Sequence, residues 1–160
     1  RIDNKPILKP LFLTKQVKYL PQHHFTPNSL KVINVFKNFQ VDWDEFIEHF
    51  NAFSIYKNKR IRQLSGGERR VIETYIILKS KSKLVLLDEP FSHIAPVYIE
   101  TISNIIAKEK QHKTIIITDH MYRHIISESD TIYLLKNGCT KLIEDISELE
   151  DYKYLSIGSL

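Results

Sequence analysis

Two acidic residues, Asp88 and Glu89, end a run of apolar residues in this 160-residue chain. A carboxylate at the end of a buried strand is suited to hold Mg²⁺, directly or through water. A second carboxylate beside it is placed to orient or activate an attacking water. His120 follows a later apolar run. A histidine at such a position is suited to contact a phosphoryl group while it is being transferred. Together these residue types favour phosphoryl transfer.

Each of these residues also has a purely structural interpretation, which stays open at this point. Asp88 would then be a helix cap or a loop ion-pair partner, and Glu89 a solvated loop acid. His120 would be a satisfied polar residue at a strand end. Their shared placement favours a site, because ligands of open α/β sheets bind beyond the carboxyl ends of the strands. Asp119 falls at the same place.

A second candidate lies in the stretch Leu64–Arg70, where Ser65 precedes two adjacent glycines and a predicted helix over 65–80. Glycines at a helix start let backbone N–H groups approach a phosphate without a Cβ in the way. The helix dipole adds partial positive charge there. Ser65, Gly66 and Gly67 therefore form a candidate phosphate cradle, although the same residues also suit an ordinary loop with a serine N-cap.

The elements that position these residues alternate in type. From residue 84 onward the pattern predicts strand, helix, strand, helix, strand, which indicates an α/β fold with a parallel core. Four-residue apolar runs are typical of strands buried on both faces. The predicted strands are 17–20, 84–87, 115–118, 131–135 and 139–143. The predicted later helices are 96–110, 121–127 and 145–151.

Residues 27–63 differ in character and predict a small helical insertion rich in aromatic residues. Pro27–Ser29 gives a helix start signal, Asp42–Glu45 opens a second helix, and 53–58 suits a third short one. The aromatic face of this insertion is either core or a partner-binding groove. Residues 1–26 indicate the edge of a β-rich piece, with a turn at 3–6.

Composition bounds the class of protein. Hydrophobic residues make up 42% and charged residues 26%, which is typical of one soluble globular domain. The formal net charge of +4 permits an anionic partner but selects none. The single cysteine, Cys139, excludes an internal disulfide, favours a reducing intracellular setting, and is expected to be half-buried in a hairpin. No apolar run is long enough to span a bilayer. Because the chain begins with Arg1, we expect a fragment.

With these motifs in hand, the chain resembles the ATP-binding cassette (ABC) ATPase family. Leu64–Glu68 resembles the family signature, Leu84–Glu89 the Walker B strand, Thr118–His120 the switch-histidine segment, and Tyr19–Gln22 the Q-loop. The hairpin around 137–138 resembles the strand pair after the switch. The amino-acid sequence of these motifs is most similar to that of bacterial single-domain cassettes of the lipopolysaccharide-export and branched-chain amino-acid type.

The resemblance implies a role for each matching residue. Asp88 would hold Mg²⁺, Glu89 would be the catalytic base, and His120 would contact the γ-phosphate of ATP. Gln22 would sense the metal and the attacking water and couple to a membrane subunit. The signature residues Ser65, Gly66, Gly67 and Glu68 would close on the nucleotide of a partner subunit.

The resemblance also implies the architecture and the partners. Residues 27–80 would be a helical subdomain, and 1–26 with 81–160 would belong to a P-loop NTPase-like (RecA-like) parallel core whose N-terminal portion is incomplete. Two cassettes would pair head to tail around ATP and Mg²⁺ and bind a transmembrane transporter subunit. The protein would be cytoplasmic, at the inner face of the cell membrane, with no nucleic acid partner expected.

Two features depart from the family pattern. A Walker A loop needs G-x-x-x-x-G-K-[ST], and none of the four glycines of this chain fits it. We therefore expect this chain by itself to bind ATP weakly or not at all. Ala95 also stands where the family usually has a dimer-interface aspartate, which affects communication between two sites.

The sequence leaves three alternative functions open. The first is the nucleotide-binding subunit of an ABC transporter, an ATP hydrolase in the intact protein. The second is a degenerate, non-catalytic or regulatory cassette, which the absent phosphate loop and Ala95 favour and which Glu89 and His120 disfavour. The third is a non-transport ABC ATPase, which the absence of heptads and repeats disfavours.

Overall fold

The computed structural model describes Pro10, residues 15–152 and Tyr154. The turn predicted at 3–6 lies outside these residues. The chain divides after Met121 into two compact units, each described by itself below.

The first unit contains a parallel three-stranded sheet in the order β1-β2-β3. Its strands are β1 (Val17–Leu20), β2 (Leu84–Asp88) and β3 (Thr114–Thr118). Leu20 lies beside Leu87 in the register, and Asp88 lies beside Thr118. The prediction of an α/β fold with a parallel core is confirmed.

The prediction that β2 and β3 are buried on both faces is wrong. On one face Leu20 and Leu87 are at most 2% exposed and join the main core. On the other, Leu86 of β2 is only partly buried and Ile116 of β3 is 52% exposed. The difference arises because successive side chains point to opposite faces, and α3, described below, packs against β1 and β2. An apolar run in the sequence does not reveal whether a second layer covers the far face.

The helical insertion contains α1 (Val32–Phe39), α2 (Trp43–His49) and 3₁₀ helices over Asn51–Tyr56 and Ile61–Gln63. Asp42 caps α2 as predicted, because its Oδ1 accepts a hydrogen bond of 2.8 Å from the backbone N–H of Glu45. The helix start predicted at 27–29 is wrong, since α1 begins only at Val32. An antiparallel bridge between Lys31 and Arg60 holds the preceding backbone extended.

The aromatic residues of the insertion form core rather than an open groove. Phe36, Phe46, Phe50 and Phe53 are each at most 2% exposed. The ring of Phe46 packs against the rings of the other three, with centroids 5.0–5.4 Å apart. This cluster joins the same hydrophobic core as the sheet.

Two longer helices complete the first unit, α3 (Gly66–Lys79) and α4 (Pro96–Glu109). Pro96 occupies the first turn of α4, where its missing N–H costs nothing. The apolar residues of α3 recur in the sequence at a spacing typical of one apolar stripe, yet residues 70–78 are buried on every side of the helix. Arg70 and Glu73 are among them, so this helix buries charge as well as apolar surface.

The second unit consists of α5 (Tyr122–Glu128), β4 (Ile132–Lys136), β5 (Cys139–Ile143) and α6 (Glu148–Asp151). β4 and β5 form the predicted hairpin, with Asn137 and Gly138 at positive φ in its turn. In the part of the chain that the structure describes, β4 pairs only with β5, so it does not extend the parallel sheet. Cys139 is exposed, and the half-buried setting predicted for it is wrong. None of the helices within the described ranges is long and apolar enough to span a membrane.

Candidate functional site

The carboxyl ends of β2 and β3 bring three of the predicted site residues together. Asp88 is the last residue of β2, Glu89 follows it, and His120 follows β3 by two residues. The Nε2 atom of His120 lies 3.1 Å from Oε1 of Glu89. The imidazole is 87% exposed, whereas the Glu89 side chain is only 16% exposed. The carboxylate is thus held in the protein while the histidine faces outward.

Both carboxylate oxygens of Asp88 accept hydrogen bonds from hydroxyl groups. Thr118 donates its Oγ1–H to Oδ1 over 2.7 Å, and Tyr19 donates its phenol O–H to Oδ2 over 3.1 Å. Desolvation and the bond to Asp88 raise the pKa of Tyr19. The two hydroxyls fix the plane of the Asp88 carboxylate at the strand end.

The side chain and the backbone of Glu89 are both held in place. Ser92 donates its Oγ–H to Oε2 over 3.1 Å, which leaves Oε1 facing His120. The backbone N–H of Glu89 donates to the carbonyl of Thr118 over 2.7 Å. The backbone itself lies in the left-handed region, with φ of 51°.

Asp119 anchors the loops on both sides of the site. Its Oδ2 accepts the N–H of Phe91 over 3.1 Å, and its Oδ1 accepts the N–H of Met121 over 2.8 Å. Asp119 therefore fixes the segment after Glu89 and the segment after His120 relative to each other. The sequence placed this residue at the sheet edge without giving it a function.

Gln22 lies in the exposed loop that follows β1. Within the described ranges, no hydrogen bond joins it to Asp88 or Glu89. These ranges also hold no group of three or more His, Cys, Asp or Glu side chains able to bind a metal ion. Asp88 still suits Mg²⁺, which typically takes one or two protein carboxylates and completes its shell with water and phosphate oxygens.

The signature residues begin α3 with a capping box. The Ser65 hydroxyl accepts the N–H of Glu68 over 3.3 Å, and the Glu68 carboxylate accepts the N–H of Ser65 over 2.8 Å. Tyr56 also donates its O–H to Glu68 over 2.5 Å. Partial burial opposes ionisation of Glu68, but the bonds from Tyr56 and Ser65 outweigh it and lower its pKa. Of the two uses that the sequence leaves open for Ser65, the N-cap is present.

The two signature glycines have different surroundings. A Cβ on Gly67 would lie 2.5 Å from the backbone oxygen of His93, so glycine is required there for the close approach of two backbones. A Cβ on Gly66 would meet its nearest neighbour, His24 Nε2, at an ordinary 3.7 Å. Gly66 is also exposed. The fold of this chain explains the glycine at 67 and leaves the one at 66 unexplained.

Arg70 contacts the backbone of the candidate site, although no sequence motif singles out its side chain. Its guanidinium is almost fully buried and donates to the carbonyls of Pro21, Asp88 and Glu89, over 2.6 Å to Pro21 and 2.9 Å to Glu89. Burial lowers the pKa of Arg70, whereas the carboxylates of Glu73 and Asp88 act in the opposite direction. The signal available in the sequence was a charge inside an apolar stripe, which requires buried partners.

Glu73 fixes the segment that follows Gln22. Its Oε1 accepts hydrogen bonds from the N–H of Phe25, the N–H and hydroxyl of Thr26, and Nε of Arg69, all within 3.1 Å. Its Oε2 lies 2.8 Å from Nδ1 of His24. Burial opposes ionisation, but the hydrogen bonds from Thr26 and His24 outweigh it and lower the pKa of Glu73.

A parallel α/β core with paired carboxylates at a strand end and a glycine-started helix is typical of nucleotide-binding proteins. The ABC transporter family model matches residues 1–92, more than half of the chain. The chain belongs to the ABC transporter family.

Individual relatives agree with this assignment. The chain is 34% identical over 119 residues to the lipopolysaccharide export system ATP-binding protein LptB of Haemophilus influenzae, covering 72% of this chain and 49% of the relative. It is 31% identical over 102 residues to the high-affinity branched-chain amino acid transport ATP-binding protein BraG of Pseudomonas aeruginosa, covering 63% and 44%. The chain thus spans about half the length of these curated relatives.

A solved structure of an ATP binding subunit of an ABC transporter superposes on this chain with a TM-score of 0.71 at 15% identity. The match covers 88% of this chain and 63% of that one. The shared fold is that of the P-loop NTPase-like ABC ATP-binding domain, as the sequence predicts.

Proposed function

We propose that this chain is part of the nucleotide-binding subunit of an ABC transporter, which couples ATP binding and hydrolysis to transport through a membrane partner. The observation that carries the proposal is the convergence of Asp88, Glu89 and His120 at one sheet edge in a member of this family. The similarity to LptB and BraG supports a transporter rather than a non-transport ATPase.

The geometry supports one role for each of the three residues. Glu89 is the general base, because its carboxylate is oriented by Ser92 and is placed to accept a proton from an attacking water. His120 contacts the γ-phosphate from its exposed position beside Glu89. Asp88 holds the metal through oxygens whose direction Tyr19 and Thr118 fix.

Mg²⁺, when bound with ATP, neutralises charge on the phosphates. Gln22 lies in the loop after β1 and is proposed to sense the metal and the attacking water once ATP and Mg²⁺ are bound. The loop is exposed and is hydrogen-bonded to Glu73 of α3. A membrane subunit that contacts this loop is therefore proposed to be coupled, through α3, to the candidate site. This coupling is the proposed link between hydrolysis and transport.

Ser65, Gly66, Gly67 and Glu68 are proposed to serve the ATP of a second subunit. The chain contains no phosphate loop of its own, so by itself it binds ATP weakly or not at all. The exposed Gly66, which the internal packing does not require, supports an approach by a group from outside the chain. Two subunits then pair head to tail, each completing the site of the other.

The remaining assignments follow from the family. Residues 27–80 are proposed as the helical subdomain that receives the membrane subunit, within a single partial ATPase domain over 1–160. The core is formed by 1–26 and 81–160. The subunit is cytoplasmic and attached to the inner face of the cell membrane through its transmembrane partner.

The test is ATP hydrolysis by the product of the full reading frame that encodes this chain. We expect Glu89→Gln to lower kcat at least about a hundredfold, because the general base is lost. Glu100→Gln, an exposed glutamate on α4, is the matched control and should hydrolyse ATP at the wild-type rate. Equal rates for wild type and Glu89→Gln would refute the role of Glu89. A wild-type protein without ATPase activity would favour the degenerate, regulatory cassette.

A further inference from the structure

Glu89 adopts a backbone conformation that its neighbours must maintain. A residue other than glycine at a φ of 51° is strained and persists only where contacts over-determine it. Here the N–H of Glu89 is bound to the carbonyl of Thr118, and the carbonyl of Glu89 is bound to Arg70. The peptide groups on both sides of the strained residue are therefore held.

The guanidinium of Arg70 reaches carbonyl groups in two separate loops. One terminal nitrogen donates to Pro21, which directly precedes Gln22. The other donates to both Asp88 and Glu89. The arginine is 3% exposed, so these bonds do not compete with water. One planar donor group thus fixes the backbone of Asp88 and Glu89 and of the residue directly before Gln22.

The helix that carries Arg70 also carries the signature residues. Arg70 lies on α3, whose first turn contains Gly66 and Gly67. The close approach of Gly67 to the carbonyl of His93 joins the same helix to the loop that follows Glu89. The start of α3 and the carboxylate loop are therefore fixed to each other at two points.

We propose that Arg70 is a positioning residue that keeps the Glu89 carboxylate directed at the reacting water by fixing the backbone of Asp88, Glu89 and Pro21. The inference rests on the proposed function for its catalytic readout. Lysine does not replace arginine here, because a single ammonium lacks the planar fork that reaches two loops at once.

A second buried cation provides a matched control. Lys113, 7% exposed, donates its Nζ to the carbonyls of Leu78 and Ser80 near the end of α3. Lys113 stabilises the fold at a place outside the site through these bonds to carbonyls and an ion pair of 2.8 Å with Glu109. Replacing Lys113 therefore shows how the loss of a cation that only stabilises the fold affects kcat, the melting temperature and hydrogen exchange.

The experiment compares Arg70→Lys, Arg70→Met and Lys113→Met in the product of the full reading frame. Three quantities are measured: kcat and KM for ATP, the melting temperature, and hydrogen–deuterium exchange of the peptide spanning 88–92. We expect both Arg70 variants to lower kcat about tenfold or more with little change in KM, because the base is displaced rather than removed. Exchange at 88–92 should rise. Lys113→Met should lower the melting temperature without either effect.

The outcomes separate this inference from the proposed function. If the wild type hydrolyses ATP and the Arg70 variants match Lys113→Met in kcat and in exchange at 88–92, the positioning role is refuted. If Arg70→Met does not fold, the comparison rests on Arg70→Lys, which keeps the charge. If the wild type has no ATPase activity, the proposed function fails. Exchange at 88–92 then decides alone whether Arg70 fixes the loop.

Discussion

Glu73 is a buried charged residue that helps to position the candidate site. This fully buried carboxylate accepts hydrogen bonds from Thr26 and Arg69 and thereby ties the segment after Gln22 to α3. A buried carboxylate is tolerated only when it is paired and its lone pairs are filled. Its partners lie more than 40 residues away along the chain, apart from Arg69.

We expect Glu73→Gln to lower the free energy of unfolding by about 3 kcal/mol at pH 7, since it leaves Arg69 without its buried counter-charge. The pKa of Glu73 is lowered below its ordinary value of 4.5, so its stabilising contribution is complete above pH 4.5. That contribution is lost as the pH falls through the folded-state pKa. The difference between wild type and variant should therefore shrink below pH 4.5. Urea unfolding at several pH values measures it.

The control for this prediction is Glu100→Gln, which removes an exposed carboxylate. Its unfolding free energy should follow that of the wild type at every pH. The free energies of unfolding of the wild type and Glu73→Gln should converge as the pH falls below 4.5. If their difference stays constant or grows instead, the Glu73 carboxylate does not stabilise the fold in the way described.

Sequence patterns located some site residues and not others, for a physical reason. Asp88, Glu89 and His120 stand at the ends of apolar runs, and a strand end is a position that local pattern reveals. Arg70 and Glu73 lie within the apolar stripe of a helix. Their function depends on which carbonyls and hydroxyls fold against that stripe, and helical periodicity does not contain this information.

The start of α3 is the element on which the proposed site depends most. Its capping box satisfies the first turn, and Gly67 allows the carbonyl of His93 to approach. The two glycines are adjacent, yet only Gly67 is required by contacts within the chain. This difference gives a matched pair of substitutions.

We expect Gly67→Ala to destabilise the protein by about 1–3 kcal/mol, because the new Cβ would overlap a backbone oxygen that cannot move alone. Gly66→Ala should change stability by less than about 1 kcal/mol, because the Cβ has room and alanine favours a helix. Thermal or urea unfolding of the two variants checks both values. Equal destabilisation by the two substitutions would show that the close contact at His93 is absent.

Element boundaries and burial were harder to predict than element types. The helix expected to start at 27–29 begins at Val32, because a bridge from Lys31 to the distant Arg60 occupies the backbone before it. β3 was expected to be buried, but among the described residues it pairs only with β2, and Ile116 is half exposed. Both differences come from contacts between segments far apart in sequence.

At the scale of the whole molecule, the chain is a member of the ABC transporter family that spans about half the length of its curated relatives. The order of four short motifs was sufficient to predict the family and the fold class. The proposed site is divided between subunits. In the proposed arrangement, Asp88 and Glu89 would serve one nucleotide, and Ser65 to Glu68 would serve the nucleotide of the partner.

The most direct test of this divided site mixes two inactive variants of the full reading frame. Glu89→Gln loses the base, and Gly66→Asp places a negative charge at an exposed position where a partner's phosphate would approach. A Cβ at residue 66 meets its nearest neighbour at an ordinary 3.7 Å. If the signature acts across the interface, a mixed dimer contains one intact site. An equal mixture should then recover roughly a quarter of the wild-type ATPase rate, because half of the dimers are mixed. A mixture as inactive as each variant alone would contradict the account.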